Sequence, residues 1–147
     1  DIEYEALLEG IPYLQFDGDI SLMCAGADLT TTVFDLINYE GGTVANYLEF
    51  GEPNYKKAQK AMELCLINKA KVILIVTFGT IVRADVMAQG VVEAIEALKP
   101  GIPIVTCIRG TNEEQAVEIL KSADLEPVFD TEEVVRIAVR LSAGGDR

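Results

Sequence analysis

The sequence predicts an open α/β fold with a mainly parallel sheet and helices on both faces. Short apolar segments alternate along the chain with longer amphipathic segments, which is the pattern of repeated strand–helix–strand units. Residues 71–78 include the run Val-Ile-Leu-Ile-Val, which is typical of a strand covered on both faces rather than on one. The length of 147 residues fits one domain.

Turn and capping signals place the elements in order. Two short strands at 12–16 and 19–24 flank Asp17-Gly18, a pair typical of tight turns, and are predicted to form an N-terminal β-hairpin. A helix over 29–39 ends before Gly41-Gly42. Thr111 and Glu114 have the spacing of a capping box at the start of a later helix. The remaining strands are predicted at 44–50, 71–78, 102–108 and 126–129, and the remaining helices at 53–69, 84–98, 111–123 and 131–141.

The ends of the chain differ from this patterned part. Residues 1–10 are acidic and weakly patterned and are interpreted as a linker or tail, residues 11–143 as the domain, and residues 144–147 as a frayed C-terminal tail. The absence of an initiator Met suggests a processed product or a fragment of a longer protein. We expect no signal peptide and no membrane span, because no apolar stretch approaches about 20 residues.

Composition excludes several classes of function. The net charge of -12 argues against nucleic acid or an anionic membrane as a partner. Cys24, Cys65 and Cys107 form no CxxC pair, so no metal site is expected. Cys24 and Cys107 lie in apolar runs and are predicted to be buried, and the odd number of cysteines fits a reducing cytoplasm or mitochondrial matrix. The chain has no histidine, which excludes Ser-His or Cys-His catalysis and a phosphohistidine on this chain.

Three loops follow strands at the edge where open α/β sheets bind ligands. The loop Gly51-Glu52-Pro53-Asn54 precedes a helix whose free N–H groups could attract an anion. An ordinary βα turn is the alternative, and the negative charge of Glu52 favours it.

The other two loops each contain an arginine. In Gly79-Thr80-Ile81-Val82-Arg83, the arginine could face a carboxylate or phosphate, or it could be solvated or paired with Asp85. Arg109 follows the next strand, and an exposed arginine in a capping loop is favoured there over a ligand contact.

Short motifs with a characteristic order and spacing extend from Tyr13 to Val139. They are Leu14-Gln15-Phe16-Asp17-Gly18-Asp19-Ile20, Gly26-Ala27, Phe34-Asp35, Gly41-Gly42, Ala45-Asn46-Tyr47-Leu48, Phe78-Gly79-Thr80-Ile81-Val82-Arg83-Ala84-Asp85 and Gly110-Thr111-Asn112. Each motif is weak alone. In this succession, they resemble the C-terminal CoA-ligase domain of the succinyl-CoA synthetase β subunit, of the NDP-forming acid–CoA ligase family that includes malate–CoA ligase and ATP-citrate lyase relatives.

This resemblance implies a flavodoxin-like domain that follows an ATP-grasp domain and works with a CoA-binding α subunit or fused domain. It implies that phosphate passes from ATP or GTP, with Mg, to a histidine of the partner and then to the acid, before CoA displaces it. The helix start that faces the phosphohistidine corresponds to Gly51, Glu52, Pro53 and Asn54. The substrate-carboxylate loop corresponds to Gly79, Thr80, Ile81, Val82 and Arg83. The isolated domain is expected to bind no cofactor and to be inactive.

The chain departs from the family pattern at several positions. Glu52 and Pro53 interrupt a usual Gly-rich run, and Ala25 replaces an Asn that helps to hold substrate. Asp28 replaces a Gly, while Arg109 and Cys107 replace a usual acid and a usual Arg. Malate, citrate or another carboxylate could therefore be the substrate instead of succinate.

Two alternatives to a ligase domain remain. The departures favour a noncatalytic paralogue that keeps the fold as an interaction or regulatory domain. An independent flavodoxin-like or receiver-like module is the other alternative, although a receiver needs a Lys at the end of a late strand and this chain has none there.

Overall fold

A computed structural model gives the structure of residues 4, 7, 10–11, 13–25, 27–49, 58–67, 69–77 and 83–144, with the side chains of 27–30 not described. Its strands are β1 Tyr13–Gln15, β2 Ile20–Ala25, β3 Val44–Glu49, β4 Val72–Thr77 and β5 Ile104–Ile108. Its helices are α1 Ala27–Tyr39, α2 Ala58–Ile67, α3 Ala84–Leu98, α4 Glu113–Ser122 and α5 Thr131–Ser142.

The five strands form one sheet in the order β1-β3-β2-β4-β5. The pairs β2–β3, β2–β4 and β4–β5 are parallel, and only β1 is antiparallel to its neighbour. Every residue of β2, β4 and β5 is buried, as the apolar runs of the sequence predict for strands covered on both faces. The predicted fold class, an open and mainly parallel α/β sheet, is confirmed.

Helices cover both faces of the sheet because side chains alternate along each strand. On one face, Met23, Ile73 and Ile75 pack against α2, α3 and α4. On the other face, Leu22 and Leu74 pack against α1 and α5. The sheet therefore separates two hydrophobic clusters.

The predicted N-terminal hairpin is wrong, because β1 and β2 lie on opposite sides of β3. Leu14 pairs with Tyr47 of β3, whereas β2 pairs with the other edge of the same strand. Residues 16–19 cross the beginning of β3, where the amide of Asp19 donates to the carbonyl of Thr43 at 3.2 Å. A Cβ on Gly18 would lie 2.5 Å from the carbonyl oxygen of Val44, so only glycine fits at this crossing.

The predicted strand at 126–129 is reduced to a single bridge between Pro127 and Thr106. The amide of Val128 donates to the carbonyl of Thr106 at 3.0 Å. Proline has no N–H to extend this pairing, and therefore the segment does not form a sixth strand. Helix α5 then begins after Asp130, whose carboxylate caps it by accepting the amide of Glu133 at 2.9 Å.

Candidate functional site

The parallel strands end together at one edge of the sheet. Ala25 of β2 pairs with Thr77 of β4, and Thr77 pairs with Ile108 of β5. Cys24 pairs with Glu49, so β3 also ends at this carboxyl edge. The three loops singled out in the sequence follow β3, β4 and β5, and the fold therefore brings them to the same edge.

The loop after β3 contains the predicted phosphate-facing helix start. Gly51, Glu52, Pro53 and Asn54 lie outside the described residues. The described chain resumes in α2, where Ala58 is buried against the sheet. The role of residues 51–54 stays a prediction.

The loop after β4 contains the predicted substrate-carboxylate loop. Gly79, Thr80, Ile81 and Val82 lie outside the described residues, whereas Arg83 is described. The structure therefore locates the two ends of the loop, at Thr77 and Arg83, and the roles of residues 79–82 stay a prediction.

Both ends of this loop are hydrogen-bonded to the chain that follows β5. Before the loop, the carbonyl of Thr77 accepts the amide of Arg109 at 3.0 Å. After it, Arg83 forms a parallel bridge with Thr111, and the amide of Ala84 donates to the carbonyl of Thr111 at 2.9 Å. The β4–β5 pairing thus resumes beyond the loop, at Arg83 and Thr111.

Three polar side chains at the loop exit form a cluster that we call the edge clamp: Arg83, Asp85 and Asn112. Arg83 donates from Nε to Asp85 Oδ1 at 3.1 Å and from Nη2 to Oδ2 at 2.8 Å. Asn112 Nδ2 donates to the same Oδ2 at 3.3 Å. The Arg83 hydrogen bonds are the largest cause that lowers the pKa of Asp85, and a hydrogen bond from the amide of Val86 contributes.

This arrangement matches the alternative in which Arg83 pairs with Asp85. It also shows that Asn112, rather than Thr111, is the N-cap residue of α4. Asn112 has a left-handed backbone with φ 61° and makes no side-chain capping bond, so the predicted capping box is wrong. The backbone of Thr111 is instead engaged with Arg83 and Ala84.

Arg109 connects the carboxyl edge to α4 and α5. Its Nε donates to Glu113 Oε1 at 2.5 Å, and its Nη1 donates to the carbonyl of Phe129 at 2.6 Å. Its guanidinium carbon also lies 5.8 Å from the centre of the Phe129 ring. The hydrogen bond to Glu113 is the main cause that raises the pKa of Arg109. These contacts give Arg109 a structural role between segments, and its side chain is partly buried instead of exposed as predicted.

A second polar cluster lies inside the fold, and the sequence reasoning missed it. We call Ser21, Asn46 and Cys65 the core trio. Ser21 Oγ donates to Asn46 Oδ1 at 2.5 Å, and Asn46 Nδ2 donates to Cys65 Sγ at 3.6 Å. All three side chains are completely buried, and burial raises the pKa of the Cys65 thiol to about 12. The sequence feature that could have indicated this cluster is the position of Ser21 and Asn46, two polar residues inside mainly apolar strands, because buried polar groups are usually hydrogen-bonded.

Among the residues that the structure describes, no group of three or more Cys, Asp or Glu side chains is placed to hold a metal ion. None of the described helices has both the length and the apolar character that a bilayer crossing requires.

Comparison with known families identifies one match, and it covers most of the chain. The family model described as CoA-ligase matches residues 23–141. This range contains β3, β4 and β5 together with the loops at their carboxyl ends.

The most similar relatives include two subunits of one kind of enzyme. The ADP-forming sulfoacetate-CoA ligase subunit SqwK of an Acholeplasma species is 76% identical over 98% of this chain and 36% of its own length. The corresponding subunit SauC of Bilophila wadsworthia is 67% identical over 98% of this chain and 39% of its own length. The β subunit of an ADP-forming succinate–CoA ligase from Campylobacter hominis is 40% identical over 97% of the chain and 38% of its own. The chain thus spans little more than a third of the length of these curated relatives.

A solved structure supports the same fold. Protein PH0766 of Pyrococcus horikoshii OT3 superimposes with a TM-score of 0.66 over 86% of this chain and 36% of that protein. The sequence identity is 12%, so this likeness concerns the fold alone.

Proposed function

The chain belongs to the CoA-ligase family, and we propose from this that it is the C-terminal domain of the β-type subunit of an ADP-forming acid–CoA ligase whose substrate is sulfoacetate. The observation that carries the proposal is the identity of 76% and 67% with two sulfoacetate-CoA ligase subunits, against 40% with a succinate–CoA ligase subunit. Sulfoacetate has a carboxylate that can be activated and a sulfonate that can distinguish it from other acids.

The position of Ala25 supports an acid other than succinate. The family resemblance places a substrate-holding Asn at this position. Ala25 pairs in register with Thr77, the last residue of β4 before the substrate-carboxylate loop. The side chain that the family would use to hold its acid is therefore reduced to a methyl group directly beside the start of that loop.

The steps of the proposed mechanism are those that the resemblance to the acid–CoA ligase family implies. The nucleotide phosphorylates a histidine of the CoA-binding partner, and the absence of histidine from this chain agrees with such a carrier. The phosphoryl group passes to the carboxylate of the acid, and the CoA thiol then attacks the acyl carbon and displaces phosphate. Mg bound with the nucleotide would neutralise phosphate charge in the full enzyme. We place the nucleotide and Mg outside this domain, in the ATP-grasp part.

The contribution of this domain is electrostatic. The backbone N–H groups of Gly79, Thr80, Ile81 and Val82 would hold the carboxylate, and those at 51–54 would face the phosphohistidine. Donors of this kind stabilise transferring charge only if they are fixed before the reaction. The two hydrogen-bonded ends of the substrate-carboxylate loop supply such fixation at residues 77 and 83.

The test uses the full-length subunit with its CoA-binding partner, ATP and CoA. We expect ADP release to require both CoA and sulfoacetate, with a kcat/KM at least about tenfold above that for succinate, malate or citrate. Sulfoacetate labelled with ¹⁸O in its carboxylate should transfer one labelled oxygen to the released phosphate. The CoA thiol attacks the acyl carbon of the acyl phosphate, the C–O bond breaks, and the bridging oxygen leaves with the phosphate.

Two other results would change the assignment. A higher kcat/KM for succinate would replace sulfoacetate as the substrate. A stable complex that releases no ADP with any acid would favour the noncatalytic paralogue.

A further inference from the structure

The carboxylate of Asp85 is engaged by three hydrogen-bond donors. It accepts Nε and Nη2 of Arg83 and Nδ2 of Asn112. An ionised carboxylate offers about four acceptor positions, so these donors occupy most of its ordinary capacity. With its lone pairs used in this way, Asp85 is poorly suited to act as a general base and well suited to hold its donors in place.

The donors of Asp85 come from two different loops. Arg83 is the residue at which the chain returns from the substrate-carboxylate loop, and Asn112 lies in the loop after β5. The guanidinium is held bidentately, which fixes its plane as well as its distance. Asn tolerates the left-handed backbone at φ 61° that directs its amide to Asp85. Asp85 is therefore the point where these two loops are joined through side chains.

The start of α3 needs this external support. Its N-cap residue is Arg83, which makes no side-chain capping bond. A guanidinium has only donors and cannot accept the free amides of a first helical turn. Asp85, in that first turn, places the negative charge that a helix N-terminus favours and at the same time holds Arg83. One carboxylate thus interacts with both the start of the helix and the end of the loop.

We propose that Asp85 is a positioning residue for the substrate-carboxylate loop: by holding Arg83 against Asn112, it fixes the point at which residues 78–82 rejoin the fold. This inference rests on the proposed function of that loop. A displacement of about 1 Å in a positioning group can lower a rate by roughly a hundredfold, so a loss of this clamp is expected to affect binding of the acid more than binding of CoA or nucleotide.

The experiment compares Asp85→Ala with Glu96→Gln in the full-length subunit bound to its CoA-binding partner. Glu96 is an exposed carboxylate on the same helix and serves as the control. We expect Asp85→Ala to lower kcat/KM for the acid at least about tenfold, mainly through KM, with the KM values of CoA and ATP within about twofold. Asp85→Glu should restore part of the loss. Glu96→Gln should match the natural enzyme.

A second measurement does not depend on turnover. In the same assembly, amide hydrogen exchange at 79–82 should become at least about fivefold faster in Asp85→Ala and stay unchanged in α5. If the natural enzyme turns over no acid, the proposed function fails, and the exchange measurement alone then tests the positioning role of Asp85. Unchanged exchange and unchanged kinetics in Asp85→Ala would overturn the positioning role. Equal rises in KM for acid, CoA and ATP would also overturn it.

Discussion

The edge clamp and the core trio are both polar clusters of three side chains, but they are built for different environments. The edge clamp is charged and half open to solvent, with the Arg83 side chain 50% and the Asp85 side chain 21% exposed. The core trio is neutral, and its three side chains are completely buried between β2, β3 and α2. Each cluster connects elements that are distant in sequence.

The difference in solvent access determines what each cluster contributes. Water can replace a lost partner at the carboxyl edge, so an exposed ion pair contributes about 1 kcal/mol or less to stability. Water does not reach the core trio, and a buried group that loses its partner keeps the full cost of its desolvation. We therefore expect changes in the core trio to affect folding and changes in the edge clamp to affect geometry at the carboxyl edge.

The largest effect is expected for Asn46→Ala. This change removes the acceptor of Ser21 and the donor of Cys65 and leaves a cavity, so the free energy of unfolding should fall by about 3 kcal/mol. Urea unfolding followed by circular dichroism measures it. Asn38→Ala, the same change at an exposed position of α1, should alter stability by less than about 0.5 kcal/mol. Equal losses in Asn46→Ala and Asn38→Ala would contradict the expected contribution of the core trio to stability.

An intermediate effect is expected for Ser21→Ala. It removes one donor and only one oxygen atom of volume, so we expect a loss of about 1–2 kcal/mol in the same urea experiment. The control is Ser122→Ala, because Ser122 is an exposed serine whose hydroxyl donates within its own helix to the carbonyl of Ile119. A loss no larger than that of Ser122→Ala would show that the Ser21 hydroxyl makes no net contribution.

The smallest effect on stability is expected for Asp85→Asn, and it should depend on pH. The pKa of Asp85 is lowered in the folded protein, chiefly by Arg83, so its contribution is present above the ordinary carboxyl pKa of about 4 and is lost as the pH falls through the lower folded value. The difference in unfolding free energy between the natural protein and Asp85→Asn should therefore be larger at pH 7 than at pH 3. A difference that grows toward acid would contradict this account.

The sequence predicts most of the fold because burial leaves a strong pattern. The run from Val72 to Thr77 could only be a strand covered on both faces, and α3 has the predicted bounds of 84–98. The hairpin was mispredicted because Asp17-Gly18 indicates a turn but not the strand that the turn crosses. The choice depends on pairing between residues distant in sequence, which local pattern does not contain.

The candidate site was predictable only in part. Strand ends and turn residues indicate which loops reach the carboxyl edge, and the fold brings these loops to that edge. The pairing of Arg83 with Asp85 was one of two alternatives that the sequence left open. The third residue of the edge clamp, Asn112, lies 27 positions after Asp85 in the chain, so local pattern does not indicate its contact with Asp85. The roles of Gly51 to Asn54 and of Gly79 to Val82 stay predictions.

The resumption of β4–β5 pairing at Arg83 and Thr111 has a consequence for how such a protein can diverge. Thr77 and Arg83 are both held by the chain that follows β5, so substitutions between them leave the two attachment points in place. A library randomised at the five positions 78–82 would therefore vary the predicted substrate-carboxylate loop on an unchanged scaffold.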